Sequence, residues 1–189
     1  MTKLTTAILF SIVTSCGRAD RLCDARVDGI CINTGNALAT VDDVGRMIDI
    51  LYNRYTTKYC VEFVTREIAD DLDLYVVFLD DTEARDICDG VQACYVYAVD
   101  EIYVSDHLVD GTDELTARYK ELWMLAHEMM HVWNRNVLRH KRPDLFRPNF
   151  YASDLTHNTP GMWGGEGSVQ NTMKLDLLLY VVNTYDGDT

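Results

Sequence analysis

The segment LWMLAHEMMHVWNR, residues 122–135, constrains the fold of this chain more than any other stretch. Two histidines, His127 and His131, stand four residues apart, and Glu128 directly follows the first of them. Residues four apart lie on one face of an α-helix, with their Cβ atoms about 6 Å apart. Most neighbouring residues are apolar, so the pattern predicts a largely buried helix that presents two imidazoles and one carboxylate together.

The spacing of these three side chains suits a metal ion. Imidazole nitrogens bind zinc at about 2.0–2.1 Å, and one helix can supply two of them without backbone strain. Two histidines and a glutamate buried among Leu, Met and Trp side chains would be costly without a partner. We therefore predict that His127 and His131 bind one Zn²⁺, and that Glu128 is a general base beside it rather than a ligand. The alternative is a core helix whose two histidines are satisfied by hydrogen bonds.

The H-E-x-x-H motif in a helix of this kind resembles that of the zincin metallopeptidases. The resemblance implies a zincin-like α+β fold with a small mixed sheet, an active-site helix and a further C-terminal helix. It implies hydrolysis of peptide bonds by a metal-activated water, with Glu128 as general base. It also implies an edge strand, here expected at Glu101–Asp106, that pairs with extended substrate. The chain does not resemble the metzincins, which would have glycine at position 134 and histidine at 137, where it has Asn134 and Val137.

A catalytic zinc usually has three protein ligands and one open position. The third ligand is expected at His157, in the loop-like segment SDLTHNTPGMW. This segment partly resembles loops that follow H-E-x-x-H in some bacterial lipoproteins, and Asp154 could orient the imidazole. Glu166 is the alternative ligand, because one group of zincins takes a glutamate from a downstream helix.

The N-terminus differs from the rest of the chain. Residues 1–16, MTKLTTAILFSIVTSC, carry one cation, then a short apolar run and then small residues, a layout typical of a secretory signal peptide. Its end, Val13–Cys16, resembles the lipobox of bacterial lipoproteins, and this implies a lipid on Cys16 after cleavage. We therefore expect an exported protein of the bacterial cell envelope, anchored to the membrane only by lipid; the alternative is a soluble secreted protein.

The remaining five cysteines agree with export, because disulfides form in oxidising compartments. They allow two disulfides and one further thiol, and the pairs that close short loops are Cys23 with Cys31 and Cys88 with Cys94. Connectivity does not follow from sequence, and Cys60 has no assigned role.

Length and charge limit the organisation and the partners. The 189 residues suit one domain, at 39–189, after a cysteine-containing, loop-rich lead-in at 17–38. The net charge of −13 would repel phosphate backbones, which excludes nucleic acid as a partner and leaves a peptide or protein substrate. The rival to an enzyme is a non-catalytic, zinc-containing envelope lipoprotein that acts as a binding or structural module.

Apolar periodicity predicts the order helix, strands, long helix, loop, helix. The first helix starts at Thr40, the second runs from Asp113 to about Leu138 with Thr112 as N-cap, and the last spans 168–185. Strands are expected at 59–65, 74–79, 93–99 and 101–106, the last two forming a hairpin or two short neighbours.

Overall fold

A computed structural model of the chain describes residues 23–59, 73–106, 112–138, 143 and 166–185. Five strands lie in these ranges: β1 (Ala25–Val27), β2 (Ile30–Asn33), β3 (Tyr75–Leu79), β4 (Ala93–Val96) and β5 (Glu101–Ser105). The α-helices in them are α1 (Val41–Tyr59), α2 (Asp81–Ile87), α3 (Glu114–Trp133) and α4 (Val169–Thr184), and a π-helix at Asn134–Leu138 continues α3. The predicted α+β class and the small mixed sheet are confirmed.

The five strands form one sheet in the order β1-β2-β3-β5-β4. The three inner strands are parallel to one another, and β1 and β4 are antiparallel to their neighbours. The expectation that Glu101–Asp106 forms the edge strand is wrong, because β5 lies between β3 and β4. Four of the five β5 residues are buried, as suits an inner strand, whereas β4 is mostly half-buried.

The lead-in, expected to be loop-rich, contains the β1–β2 hairpin. Its two-residue turn is Asp28-Gly29, and both residues have positive φ angles, 48° and 87°. Hairpin turns of this kind need such angles, and the Asp-Gly pair adopts them readily. The dipeptide is therefore a usable sequence signal for a hairpin, although no hairpin was predicted here.

Local signals at the ends of the predicted helices are largely confirmed. The Thr40 hydroxyl accepts a hydrogen bond from the Asp43 N–H at 3.2 Å, and the Thr40 N–H donates to the Asp43 carboxylate at 2.8 Å. This reciprocal cap starts α1. In α3 the cap is Asp113 rather than Thr112, since the Asp113 carboxylate accepts from the Thr116 N–H at 2.8 Å. Residue 59 of the strand expected at 59–65 belongs to α1, and residues 60–65 lie outside the described ranges.

The helix α2 was not predicted, although its start has a clear signal. The Asp80 carboxylate accepts hydrogen bonds from the backbone N–H groups of Thr82 and Glu83 at 2.9 and 3.0 Å. Such N-caps favour helix initiation, but α2 has only seven residues and buries one of them, Ala84, so no periodic apolar face marks it.

The core lies between the sheet and the long helices. The stripe predicted for the last helix is buried along α4, which packs against α1 and α3, and consists of Val169, Met173, Leu177 and Val181. Among the described helices, none is both long enough and apolar enough to cross a lipid bilayer.

Candidate metal centre

Helix α3 brings the three residues of the motif together. The Nε2 atoms of His127 and His131 are 3.3 Å apart. Two nitrogens that bind one tetrahedral zinc ion at 2.0–2.1 Å would be about 3.3–3.4 Å apart. One ligand atom from each of His127, Glu128 and His131 lies within 4.8 Å of the other two. The group could therefore hold a metal ion, and its two imidazoles already have the required spacing.

Glu128 is buried beside this pair. Its side chain is 7% exposed, and burial raises its pKa from an ordinary value of 4.5 to about 7. A hydrogen bond from the backbone of Tyr95, in β4, opposes this rise in part. A carboxyl group with a pKa near neutral can both accept and return a proton at physiological pH. The Tyr95 contact also shows that the edge strand β4 borders the group.

Packing around α3 fixes where the group lies. The Glu121 carboxylate is fully buried and accepts a hydrogen bond from the Ala39 N–H at 2.7 Å, which joins α3 to the segment before α1. His131 is 8% exposed, whereas His127 is half-buried. One imidazole is therefore enclosed and the other lies nearer to solvent.

Two aromatic residues flank the group, and a basic side chain lies over the ring of each. The Trp123 ring meets His127 edge to face, with centroids 6.0 Å apart, and the Lys174 Nζ lies 4.3 Å from the Trp123 ring centroid. On the other flank the Arg135 Cζ lies 4.2 Å from the centroid of the Tyr97 ring.

The pKa of Tyr97 also depends on charges of the metal group and of its neighbours. Burial raises its pKa; the Arg135 guanidinium opposes the rise, and the Glu128 carboxylate adds to it. Tyr97 therefore lies close to both charges. Tyr97, Lys174 and Arg135 were not predicted from the sequence as site residues. The spacing of Arg135, seven residues or two helical turns after Glu128, was the only local signal for any of the three.

Several predicted site residues cannot be compared with this geometry. His157, Asp154 and Cys16 lie outside the described residues. Glu166 is described; it is exposed and is not a member of the group of three. The identity of the third ligand stays a prediction.

Both expected cysteine pairs form disulfides. Cys23 bonds to Cys31 and Cys88 to Cys94, with Cα–Cα distances of 5.5 and 5.6 Å. The second bond ties the end of α2 to β4, the strand that borders the group. Two disulfides indicate an oxidising, extracellular environment.

A second charged cluster, the helix junction of Asp43, Arg118 and Tyr180, joins α1, α3 and α4. The Arg118 Nε donates to the Asp43 carboxylate at 3.0 Å and the Tyr180 hydroxyl donates to it at 2.7 Å. Asp43 is 1% exposed. Burial alone would raise its pKa, but the hydrogen bonds from Arg118, Thr40 and Tyr180 outweigh burial and lower it.

Comparison of the chain with protein-family models, with curated proteins and with solved structures finds no match. What supports a function is therefore the chemistry of the grouped side chains and of their neighbours.

Proposed function

We propose that this protein is a zinc-dependent hydrolase of peptide bonds, with a zincin-like arrangement of sheet and helices. The observation that carries the proposal is the 3.3 Å separation of the His127 and His131 Nε2 atoms, with the buried Glu128 beside them. His127 and His131 would hold the ion, together with His157 or, alternatively, Glu166. A bound Zn²⁺ would supply Lewis acidity, polarising a substrate carbonyl and making a nearby water more acidic.

Glu128 would move the protons. It would take one from the attacking water and give it to the leaving amine, so a single carboxyl group acts first as base and then as acid. Burial raises its pKa to about 7 in the metal-free protein, and a bound Zn²⁺ beside it would lower that pKa and favour the ionised form that accepts the proton.

The edge strand β4 would hold the substrate. On one side β4 pairs with β5, and within the described sheet no strand pairs with its other side. An extended peptide can add to such an edge through main-chain hydrogen bonds. The Tyr95 backbone contact with Glu128 would put a peptide bound there next to the general base.

For the location, we propose export by the segment at 1–16 and a lipid anchor on Cys16. The lipobox-like end of that segment supports the anchor, and the two disulfides support export to an oxidising compartment. Mass spectrometry of the mature protein tests this, since a lipid would add the mass of acyl chains at Cys16. An unmodified N-terminus would contradict the anchor.

Wild type and two variants of the purified protein test the proposed chemistry. Wild type and Glu128→Gln should each bind about one zinc ion per chain, measured by elemental mass spectrometry, and only wild type should cleave peptides. His131→Ala should lose zinc affinity by at least about 100-fold, since even the loss of residues that only orient a ligand lowers affinity by 10–100-fold.

The outcomes separate the alternatives. Absence of zinc after remetallation of wild type would overturn the proposal. Zinc in wild type without hydrolysis of any peptide would favour the non-catalytic binding or structural module. Equal hydrolysis by wild type and Glu128→Gln would exclude Glu128 as the base.

A further inference from the structure

The two flanks of the metal group carry cations in a strongly acidic chain. Both are held against aromatic rings that adjoin the group, Arg135 on Tyr97 and Lys174 on Trp123. We propose that Arg135 and Lys174 bind carboxylates of the substrate, so that the site selects acidic peptides. This inference rests on the proposed function, because it assigns the substrate class of the same site.

The contacts of its guanidinium leave Arg135 able to bind a carboxylate. Its Cζ lies over the Tyr97 ring, 4.2 Å from the centroid, and the guanidinium also forms a hydrogen bond with the Tyr97 side chain. A guanidinium has five N–H donors, so the contact with one phenol leaves donors for a carboxylate. The side chain is exposed, and it follows α3 in the π-helical turn. A substrate that reached Glu128 would therefore pass close to this cation.

Lys174 occupies the corresponding place on the other flank. Its ammonium lies over the Trp123 ring, and that ring meets the imidazole of His127. Lys174 comes from α4, not from α3, so packing between the two helices brings it to this place. A cation held on a ring keeps most of its charge available to a passing anion.

The other arginines of the described helices have carboxylate partners, and this contrast supports the assignment. The pairs are Arg46 with Asp49, Arg54 with Asp176, Arg85 with Asp81, and Arg118 with Asp43. Within the ranges that the structure describes, neither Arg135 nor Lys174 forms an ion pair. In a chain of net charge −13, an arginine beside the site to which the described residues offer no carboxylate partner is not explained by neutralisation of neighbouring acids; Lys174 is assigned by its place on the Trp123 ring.

A carboxylate is the group that these cations would recognise on a peptide. It can come from an Asp or Glu side chain or from the C-terminus of the substrate. Local cations can attract such a substrate even though the remaining surface repels it. Because exposed charges are screened by salt, the preference should weaken as ionic strength rises.

Matched peptides test the proposal. A random peptide mixture first locates the preferred cleavage site by mass spectrometry. Pairs that differ only by Glu or Gln near that site, and pairs with a C-terminal acid or amide, then separate the two sources of carboxylate. The proteins are wild type, Arg135→Gln, Lys174→Gln and, as a matched control, Arg46→Gln, which removes an exposed arginine of α1. Binding of the same peptides to zinc-loaded Glu128→Gln, alone and combined with Arg135→Gln or Lys174→Gln, is measured by fluorescence anisotropy.

For wild type, kcat/KM should be about five- to tenfold higher for at least one carboxylate peptide than for its neutral partner. The preference should fall to near unity in Arg135→Gln or Lys174→Gln and persist in Arg46→Gln. Hydrolysis with equal rates on both members of every pair would overturn the inference and leave the proposed function standing. If no peptide is hydrolysed but carboxylate peptides are bound selectively, and either substitution abolishes that selectivity, the proposed function is overturned and the inference stands. If there is neither hydrolysis nor selective binding, the inference and the proposed function are both overturned.

Discussion

Helix α3 carries two buried charged clusters, and they differ in how the charge is balanced. Near the start of the helix, Arg118 and Tyr180 donate hydrogen bonds to Asp43, and the pKa of Asp43 is lowered. Two to three turns further on, Glu128 is also buried, but burial dominates and its pKa rises to about 7. The pKa values of two buried acidic groups that lie along the same helix, Asp43 from α1 and Glu128 from α3 itself, are thus shifted in opposite directions.

The difference separates a stabilising cluster from a reactive one. A buried carboxylate that is fully hydrogen-bonded and paired with a cation stays ionised and holds elements together. Glu128 is buried beside two imidazoles, and none of the described residues forms an ion pair with it, so it is left available for a metal ion and for proton transfer. The helix junction therefore serves the fold, whereas the metal group is where we expect chemistry.

The largest expected effect on stability comes from Asp43→Ala. The substitution removes the carboxylate that accepts the Thr40 N–H, one half of the reciprocal cap of α1, and leaves the guanidinium of Arg118, whose side chain is 15% exposed, without its carboxylate. The free energy of unfolding should fall by about 3 kcal/mol, as measured by urea denaturation. Zinc content should not change. A loss below 1 kcal/mol would mean that the junction does not stabilise the fold.

The pH dependence of this cluster follows from the direction of its pKa shift. Because the pKa of Asp43 is lowered in the folded state, its stabilisation is complete above the ordinary aspartate pKa of about 3.9. It is lost as the pH falls through the lower, folded-state pKa. The stability difference between wild type and Asp43→Asn should therefore be constant at pH 5–7 and shrink below about pH 4. Urea denaturation at several pH values measures it, and a difference that persists unchanged at pH 3 would contradict the assignment.

The matching change at the other cluster, Glu128→Gln, should have the opposite sign. Because the pKa of Glu128 is raised, ionisation is disfavoured in the folded, metal-free protein above pH 7, and an amide avoids this penalty. We expect the variant to be about 1 kcal/mol more stable at pH 8 in the presence of a chelator. The gain should vanish as the pH falls to the ordinary glutamate pKa. Equal or lower stability of the variant at pH 8 would remove the contrast between the two clusters.

The smallest effect is expected at an exposed pair on α1, which serves as a control for Asp43→Ala. The Arg46 and Asp49 side chains are 56% and 65% exposed and their charged atoms are 3.8 Å apart. Asp49→Asn should change the free energy of unfolding by less than about 0.5 kcal/mol, because solvent screens such pairs. A larger loss would show that charge deletion anywhere on α1 is destabilising, and the Asp43 result would then lose its specificity.

Features with a local cause were determined by the sequence alone. The spacing of His127 and His131 follows from the helical repeat, and the stripe on α4 follows from the same period. The reciprocal cap of Thr40 and Asp43 involves residues three apart. Each depends on residues within a turn or two of one another, so the pattern can be recognised without knowledge of the fold.

Tertiary structure alone decided the features that join distant segments. Both β4 and β5 have strand-like sequence patterns. Because β5 pairs with β3, β4 is left as the edge strand. Asp43 and Arg118 are separated by 75 positions in the sequence, and Lys174 meets Trp123 only because α4 packs on α3. Such contacts arise from the packing of whole elements, which depends on the shape of the entire core rather than on any local repeat. The motif was therefore visible in the sequence, while its cationic surroundings were not.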